Sequence, residues 1–280
     1  MDRGASNSAM VAAIGGLDSD AVEILSPGAA SPVIVLCDHA DNRLPGEYGD
    51  LGLPAGEFER HIAYDIGAAG VARELSGLLG ATSILSRWSR LLIDLNRGLD
   101  DPTLIMRLSD GAVIPGNRHL DDAERERRVE RFYRPYHNAV SRLIDERLER
   151  GIAPVLLSVH SFTPVWRSRA RAWHTGVLWD KDPRLAVPLI AALRGDRALV
   201  VGDNEPYTGK LRGDTLWQHG TCRGLAHAII EIRQDLIADG VGQLEWAKRI
   251  GGVMASLLGD PAVAGPMAQV AYHGSYTDPE

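Results

Sequence analysis

Two stretches decide the fold: Ile34-Val35-Leu36-Cys37-Asp38-His39-Ala40-Asp41-Asn42 and Val155-Leu156-Leu157-Ser158-Val159-His160-Ser161. Each is an uninterrupted apolar run of strand length that ends in a histidine. Such runs belong to strands covered on both faces, and open α/β sheets present functional side chains at the carboxyl ends of their strands. If the two strands are neighbours, His39 and His160 converge on one cleft, an arrangement from which catalytic metal sites are built.

Working outward, strand-like runs at 33–37, 82–86, 91–95, 153–159, 174–179, 197–202 and 227–232 alternate with amphipathic helical patterns at 56–79, 121–150, 182–194 and 241–258. This alternation predicts an α/β fold with a mainly parallel sheet covered on both faces. Asp121 is placed to cap the second helix, and Pro135 should kink or split it. Residues 1–20 read as a loose extension, with a short edge strand at 21–25. The folded body is expected over 21–259 as one domain, followed by an irregular tail at 260–280 rich in Pro and Gly.

Hydrophobic residues make up 45% of the 280, charged residues 24%, and the formal charge is −7. That balance suits a globular enzyme with a small-molecule partner and lacks the basic excess of a nucleic-acid-binding surface. Cys37 and Cys222 are the only cysteines, so a disulfide framework or a four-thiolate zinc site is not expected. No apolar run reaches the roughly 18 residues of a membrane span. The reading is a cytoplasmic protein with no membrane and no nucleic-acid partner.

Four clusters carry chemistry. His39 and Asn42 follow a strand directly, and their spacing lets both side chains meet one ion, with Asp38 and Asp41 as alternatives. His160 adds a second imidazole; taken alone it would pass for a buried histidine bonded to a carbonyl. In Ser89-Arg90-Leu91-Leu92-Ile93-Asp94-Leu95-Asn96-Arg97, alternation brings Asp94, Asn96 and Arg97 to a strand end, where a guanidinium fork can grip a carboxylate. A structural pair of Asp94 with Arg97 or Arg90 fits the same residues. Glu231, inside the apolar run His227 to Ile232, should have its pKa raised by desolvation and is a candidate general base; an ion pair with Arg233 is the alternative. The loop Gly202 to Gly209 offers Asn204 and Tyr207 to a substrate, although it also reads as a plain turn. His61 and Asp65, one helical turn apart, read as a surface pair. Neither a Lys-Ser/Thr phosphate loop nor a Gly-x-Ser-x-Gly elbow is present, which removes support for nucleotide hydrolysis and for serine hydrolase chemistry.

Taken in order, His39-Ala-Asp-Asn42, Ser89 to Arg97, His160-Ser-Phe-Thr-Pro164, Gly202-Asp-Asn-Glu-Pro-Tyr207 and Ile230-Glu-Ile-Arg-Gln-Asp235 resemble the N-formylglutamate amidohydrolase family over about 33–240. The resemblance implies a single three-layer α/β/α domain with a mixed, mostly parallel central sheet, similar to the zinc carboxypeptidases and aspartoacylases. It implies a bound Zn2+ or another divalent metal with His39 and His160 as ligands, and Asn42 standing where the wider superfamily has the glutamate of His-x-x-Glu. It further implies Glu231 as general base and Arg97 as the holder of a substrate carboxylate, helped by Asn96, Arg90, Asn204, Tyr207 and Arg233. The implied reaction is hydrolysis of N-formyl-L-glutamate or a related acidic N-acyl amino acid. The rival expectations are a metal-free hydrolase and a binding protein that keeps the cleft without catalysis.

Overall fold

The computed structural model describes residues 20–279; the extension expected at 1–20 lies almost wholly outside them. A seven-stranded sheet runs in the order β1 (Val22–Leu25), β3 (Thr82–Ser86), β2 (Val33–Cys37), β6 (Val155–Phe162), β11 (His227–Arg233), β9 (Thr175–Leu178) and β10 (Val201–Asp203). The pairings of β2 with β3 and β6, of β6 with β11 and of β9 with β10 are parallel, whereas β1 with β3 and β9 with β11 are antiparallel. The mixed, mostly parallel sheet is therefore the one expected, with β1 as its edge. Two short ribbons stand apart from it: β4 (Leu108–Ser109) with β5 (Ala112–Val113), and β7 (Val165–Trp166) with β8 (Arg169–Ala170).

The continuous apolar runs exist because both faces are covered. On β2, Val33, Val35 and Cys37 enter one core with helices Ala68–Leu79, Pro183–Arg194 and Gly240–Gly259. Ile34 and Leu36 enter the opposite core, against the long helical segment ending at Glu149. Fully buried Leu and Ile side chains of this kind stabilise by roughly 1.5–3 kcal/mol each.

Several boundaries differ from the sequence reading. The segment 91–95 is not a strand: Leu91 and Leu92 are buried in two different apolar clusters, and turn bonds from Leu91 and Leu92 to Ser89 replace a ladder. The alternation there reports two buried surfaces on either side of a loop. The helix expected from 56 begins only at Ala68, after a 3-10 turn at Ala55–Glu59 and a left-handed Gly67 (φ 81°). The helix expected over 121–150 is divided into Asp122–Arg128, a π-turn at Val129–Tyr133 and Arg134–Glu149. Pro135 sits in the first turn of the last piece, so the wider π-turn accommodates its missing N–H and the chain runs on without a break. Asp121 caps as expected, accepting from Glu124 N at 2.7 Å. Beyond Asp260, Pro261–Met267 is a short helix packed on the two preceding ones, where irregular chain was expected. Among the described residues no helix is long and apolar enough to cross a membrane.

Candidate active site

β2, β6 and β11 are adjacent and parallel, so their carboxyl ends lie side by side. His160 and Glu231 are register partners on β6 and β11, and they project from the same face of the sheet, two residues beyond the partners Ser158 and Ile229. His39 follows β2 by two residues. The His39 and His160 rings stand 5.1 Å apart between centroids and nearly perpendicular, at 77°. The convergence expected from the two apolar runs is thus present, with β6 running past His160 to Phe162.

The third member of the cluster is Asp65, from the turns that precede helix Ala68–Leu79. Its Oδ2 lies 2.8 Å from His160 Nδ1 and 3.4 Å from His39 Nδ1. Asp65 is held in place by its own N–H, which donates to His39 O at 2.9 Å. The donor atoms of His39, Asp65 and His160 all fall within 4.8 Å of one another, and all three residues are buried. Each imidazole turns its other nitrogen to a second carboxylate: His39 Nε2 meets Asp94 Oδ1 at 2.6 Å, and His160 Nε2 meets Asp38 Oδ2 at 3.1 Å. Asp38 in turn accepts from Tyr136, Ser158 and Thr215. Backing of each ring by an outer carboxylate is the usual support for metal-ligating histidines.

The charges follow from this geometry. Burial alone would raise the Asp38 pKa, but the hydrogen bond and charge of His160 bring it to about 2. Asp65 is held low against the same burial by His39 and His160, and Asp94 by Arg90 and His39. Glu231 behaves oppositely: burial pushes its pKa up to about 7, and its Oε2 has no hydrogen-bond partner among the described residues. Gly176, its partner on β9, has no room for a side chain, since a Cβ there would lie 1.8 Å from Glu205 O. The Glu205 backbone therefore closes one flank of Glu231.

His39, Asp65, His160 and Glu231 border a cavity of about 470 Å3. Arg97 and Asn96 line it. Arg97 donates to Thr103 Oγ1 and Asn96 O and has no carboxylate partner among the described residues, whereas the Asn96 side-chain carbonyl accepts from Thr215 N. Arg90 also lines it, but Asp94 and Asp65 occupy its guanidinium at 2.7 and 3.3 Å, so it acts as a brace. Tyr207 stands on the wall, half-exposed.

Three expected site residues lie elsewhere. Asn42 does not join His39 and His160: its amide donates to Phe58 O at 2.9 Å, and Asp65 stands in the place expected for it. Asn204 is a turn residue with φ 52°, its side-chain carbonyl taken by Trp179 N and Gly209 N. Arg233 pairs with Asp235 and donates to the carbonyls of Arg171 and Trp173. Of the alternatives, Asp41 pairs with Arg43 near the surface. Sequence reasoning missed Asp65 and Asp214. Asp65 was read as a surface partner of His61, which instead approaches Asp110 at 3.6 Å. Asp214 is buried at the cavity wall, and burial raises its pKa to about 7.

The chain matches the N-formylglutamate amidohydrolase family over residues 31–238. It is 27% identical over 214 residues to the N-formylglutamate deformylase of Pseudomonas putida, covering 67% of this chain and 74% of that one. The crystal structure of gene product Atu2144 from Agrobacterium tumefaciens is 38% identical, with a TM-score of 0.80 over 86% of this chain and 97% of that chain. The N-formylglutamate amidohydrolase of Ralstonia eutropha JMP134 shares the fold at 22% identity and a TM-score of 0.66, covering 88% of this chain and 99% of that one. On the extent of the family match, this chain belongs to the N-formylglutamate amidohydrolase family, a family of amide-bond hydrolases.

Proposed function

We propose that this chain hydrolyses the amide bond of an N-acyl amino acid, with N-formyl-L-glutamate as reference substrate, using a divalent ion, zinc, held by His39, Asp65 and His160. The observation that carries the reading is the buried trio itself, with the partnerless carboxylate oxygen of Glu231 on the neighbouring strand. The donor set fits the ion: two imidazole nitrogens and one carboxylate oxygen are a common catalytic zinc set, and both rings carry the outer carboxylates that such ligands need. When bound, the ion supplies Lewis acidity toward the acyl oxygen and lowers the pKa of a nearby water.

The other roles belong to the protein. Asp94 and Asp38 fix the orientation of the two imidazoles. Glu231, with a pKa raised by burial to about 7, takes a proton from the attacking water and returns it to the leaving nitrogen. Arg97 grips the substrate carboxylate and Asn96 borders it, so part of the rate gain comes from positioning.

The test is release of free amine from N-formyl-L-glutamate by zinc-loaded and by chelated protein. Release that disappears on chelation and returns with zinc supports the reading. Release that survives full chelation would replace it with a metal-free hydrolase, and no release from any N-acyl amino acid would leave a binding protein.

A further inference from the structure

Arg97 is not alone in lacking a carboxylate partner beside the cavity. Arg171 follows the β7–β8 ribbon, a tight hairpin whose two turn residues, Arg167 and Ser168, have φ of 47° and 63°. Such a turn matches the twist of its strands and makes a stiff ribbon. The base of the hairpin is tied down by Arg171 N to Pro164 O at 2.8 Å and by Arg233 Nη1 to Arg171 O at 3.3 Å.

The Arg171 guanidinium rests on residues that line the cavity. Its carbon lies 4.9 Å from the Tyr207 ring centre, 5.5 Å from that of Trp166 and 5.6 Å from that of Phe162. Nη1 donates to Tyr207 Oη at 2.9 Å and lies 3.3 Å from both Thr163 O and Thr163 Oγ1. Nε and Nη2 have no partner among the described residues, and the side chain is only partly buried. Three aromatic rings and three oxygens therefore orient a planar cation and leave two of its nitrogens without a protein partner among the described residues, at the cost of ordering a long side chain. Arg90, a few residues from Arg97, is by contrast filled by two carboxylates, Asp94 and Asp65.

We infer that Arg171, stacked at the edge of the cavity on the lining rings of Phe162, Trp166 and Tyr207, is a second anion anchor that holds the carboxylate of an N-formylglutamate-type substrate that Arg97 does not. The inference rests on the amidohydrolase reading above and adds the residue that selects dicarboxylic substrates. Tyr207 acts through Arg171 as a positioning residue.

The test compares N-formyl-L-glutamate with its two monoamides, N-formyl-L-glutamine and N-formyl-L-isoglutamine, in the wild type, Arg171→Gln and Arg171→Lys. Glutamine keeps the apolar stem on the rings and one amide donor, and removes the charge. Charged hydrogen bonds contribute about 1.5–3 kcal/mol, so kcat/KM for the diacid should fall about 10- to 100-fold in Arg171→Gln, mainly through KM. The loss should be much smaller for the one monoamide that already lacks the carboxylate held by Arg171, and Arg171→Lys should recover part of it. Equal losses on all three substrates would overturn the inference and leave Arg171 a structural clamp. If the wild type hydrolyses none of them, the amidohydrolase reading fails instead. Calorimetric binding of L-glutamate, L-glutamine and L-isoglutamine to the same variants then decides the role of Arg171: unchanged glutamate affinity in Arg171→Gln would overturn it.

Discussion

His39 Nε2 and Asp94 Oδ1 are 2.6 Å apart, with both groups buried, and Arg90 closes the far side of the same carboxylate. This relationship fixes which nitrogen of His39 faces the cavity cluster. Asp94→Asn keeps the shape and removes the charge behind the ring. Outer partners of this kind are worth about 10- to 100-fold in metal affinity. Zinc titration of the apo variant should show a loss of that size, and wild-type affinity would separate Asp94 from the site.

Asp65 and Asn42 make opposite predictions. Asp65 offers its oxygen to both imidazoles, whereas the Asn42 amide is used on Phe58 O. Elemental analysis after dialysis should find zinc depleted in Asp65→Asn by more than an outer partner would explain, and retained in Asn42→Ala. The reverse pattern would restore Asn42 as the third ligand.

Arg97→Ala should raise KM for an N-acyl amino acid about 10- to 100-fold, the range for losing a charged hydrogen bond, with a smaller change in kcat. Steady-state kinetics on the matching carboxamide substrate should show little further loss. Equal losses on acid and amide would mean that Arg97 supports the loop without touching the carboxylate.

Asp214 gives a pH signature. Its pKa is raised by burial from 3.8 to about 7, while its Oδ1 accepts from Trp217 N. A carboxyl that binds its proton more tightly when folded stabilises the fold at low pH, and that contribution is lost as pH rises from about 4 to about 7. Asparagine keeps the acceptor and never ionises. The stability of Asp214→Asn relative to wild type should therefore climb across that window, by up to about 4 kcal/mol, and level off above it. Denaturant melts giving a constant difference from pH 4 to 8 would contradict the assignment.

The legible parts of the site share one property: each lies at or near the end of an apolar run. His39, His160 and Glu231 stand out because a polar residue on a buried strand needs a partner, and the strand order brings those three runs together. Arg97 lines the cavity although the strand expected before it is absent, since 91–95 is a buried loop whose alternation faces two apolar clusters. Asp65 was illegible because it comes from turns between elements, where spacing from His61 mimics a helical surface pair. The stacking of Arg171 left no signal either, since its rings come from separate segments of the chain. Asn42 misled because residues three apart in a loop need not point the same way.

The most direct test of the account is the rate of amine release by Glu231→Gln at the metal content of the wild type. General acid–base catalysis typically contributes about 10²- to 10⁴-fold. The account predicts a fall in kcat of that order with zinc retained in full. A variant that keeps its zinc and turns over at the wild-type rate would contradict it.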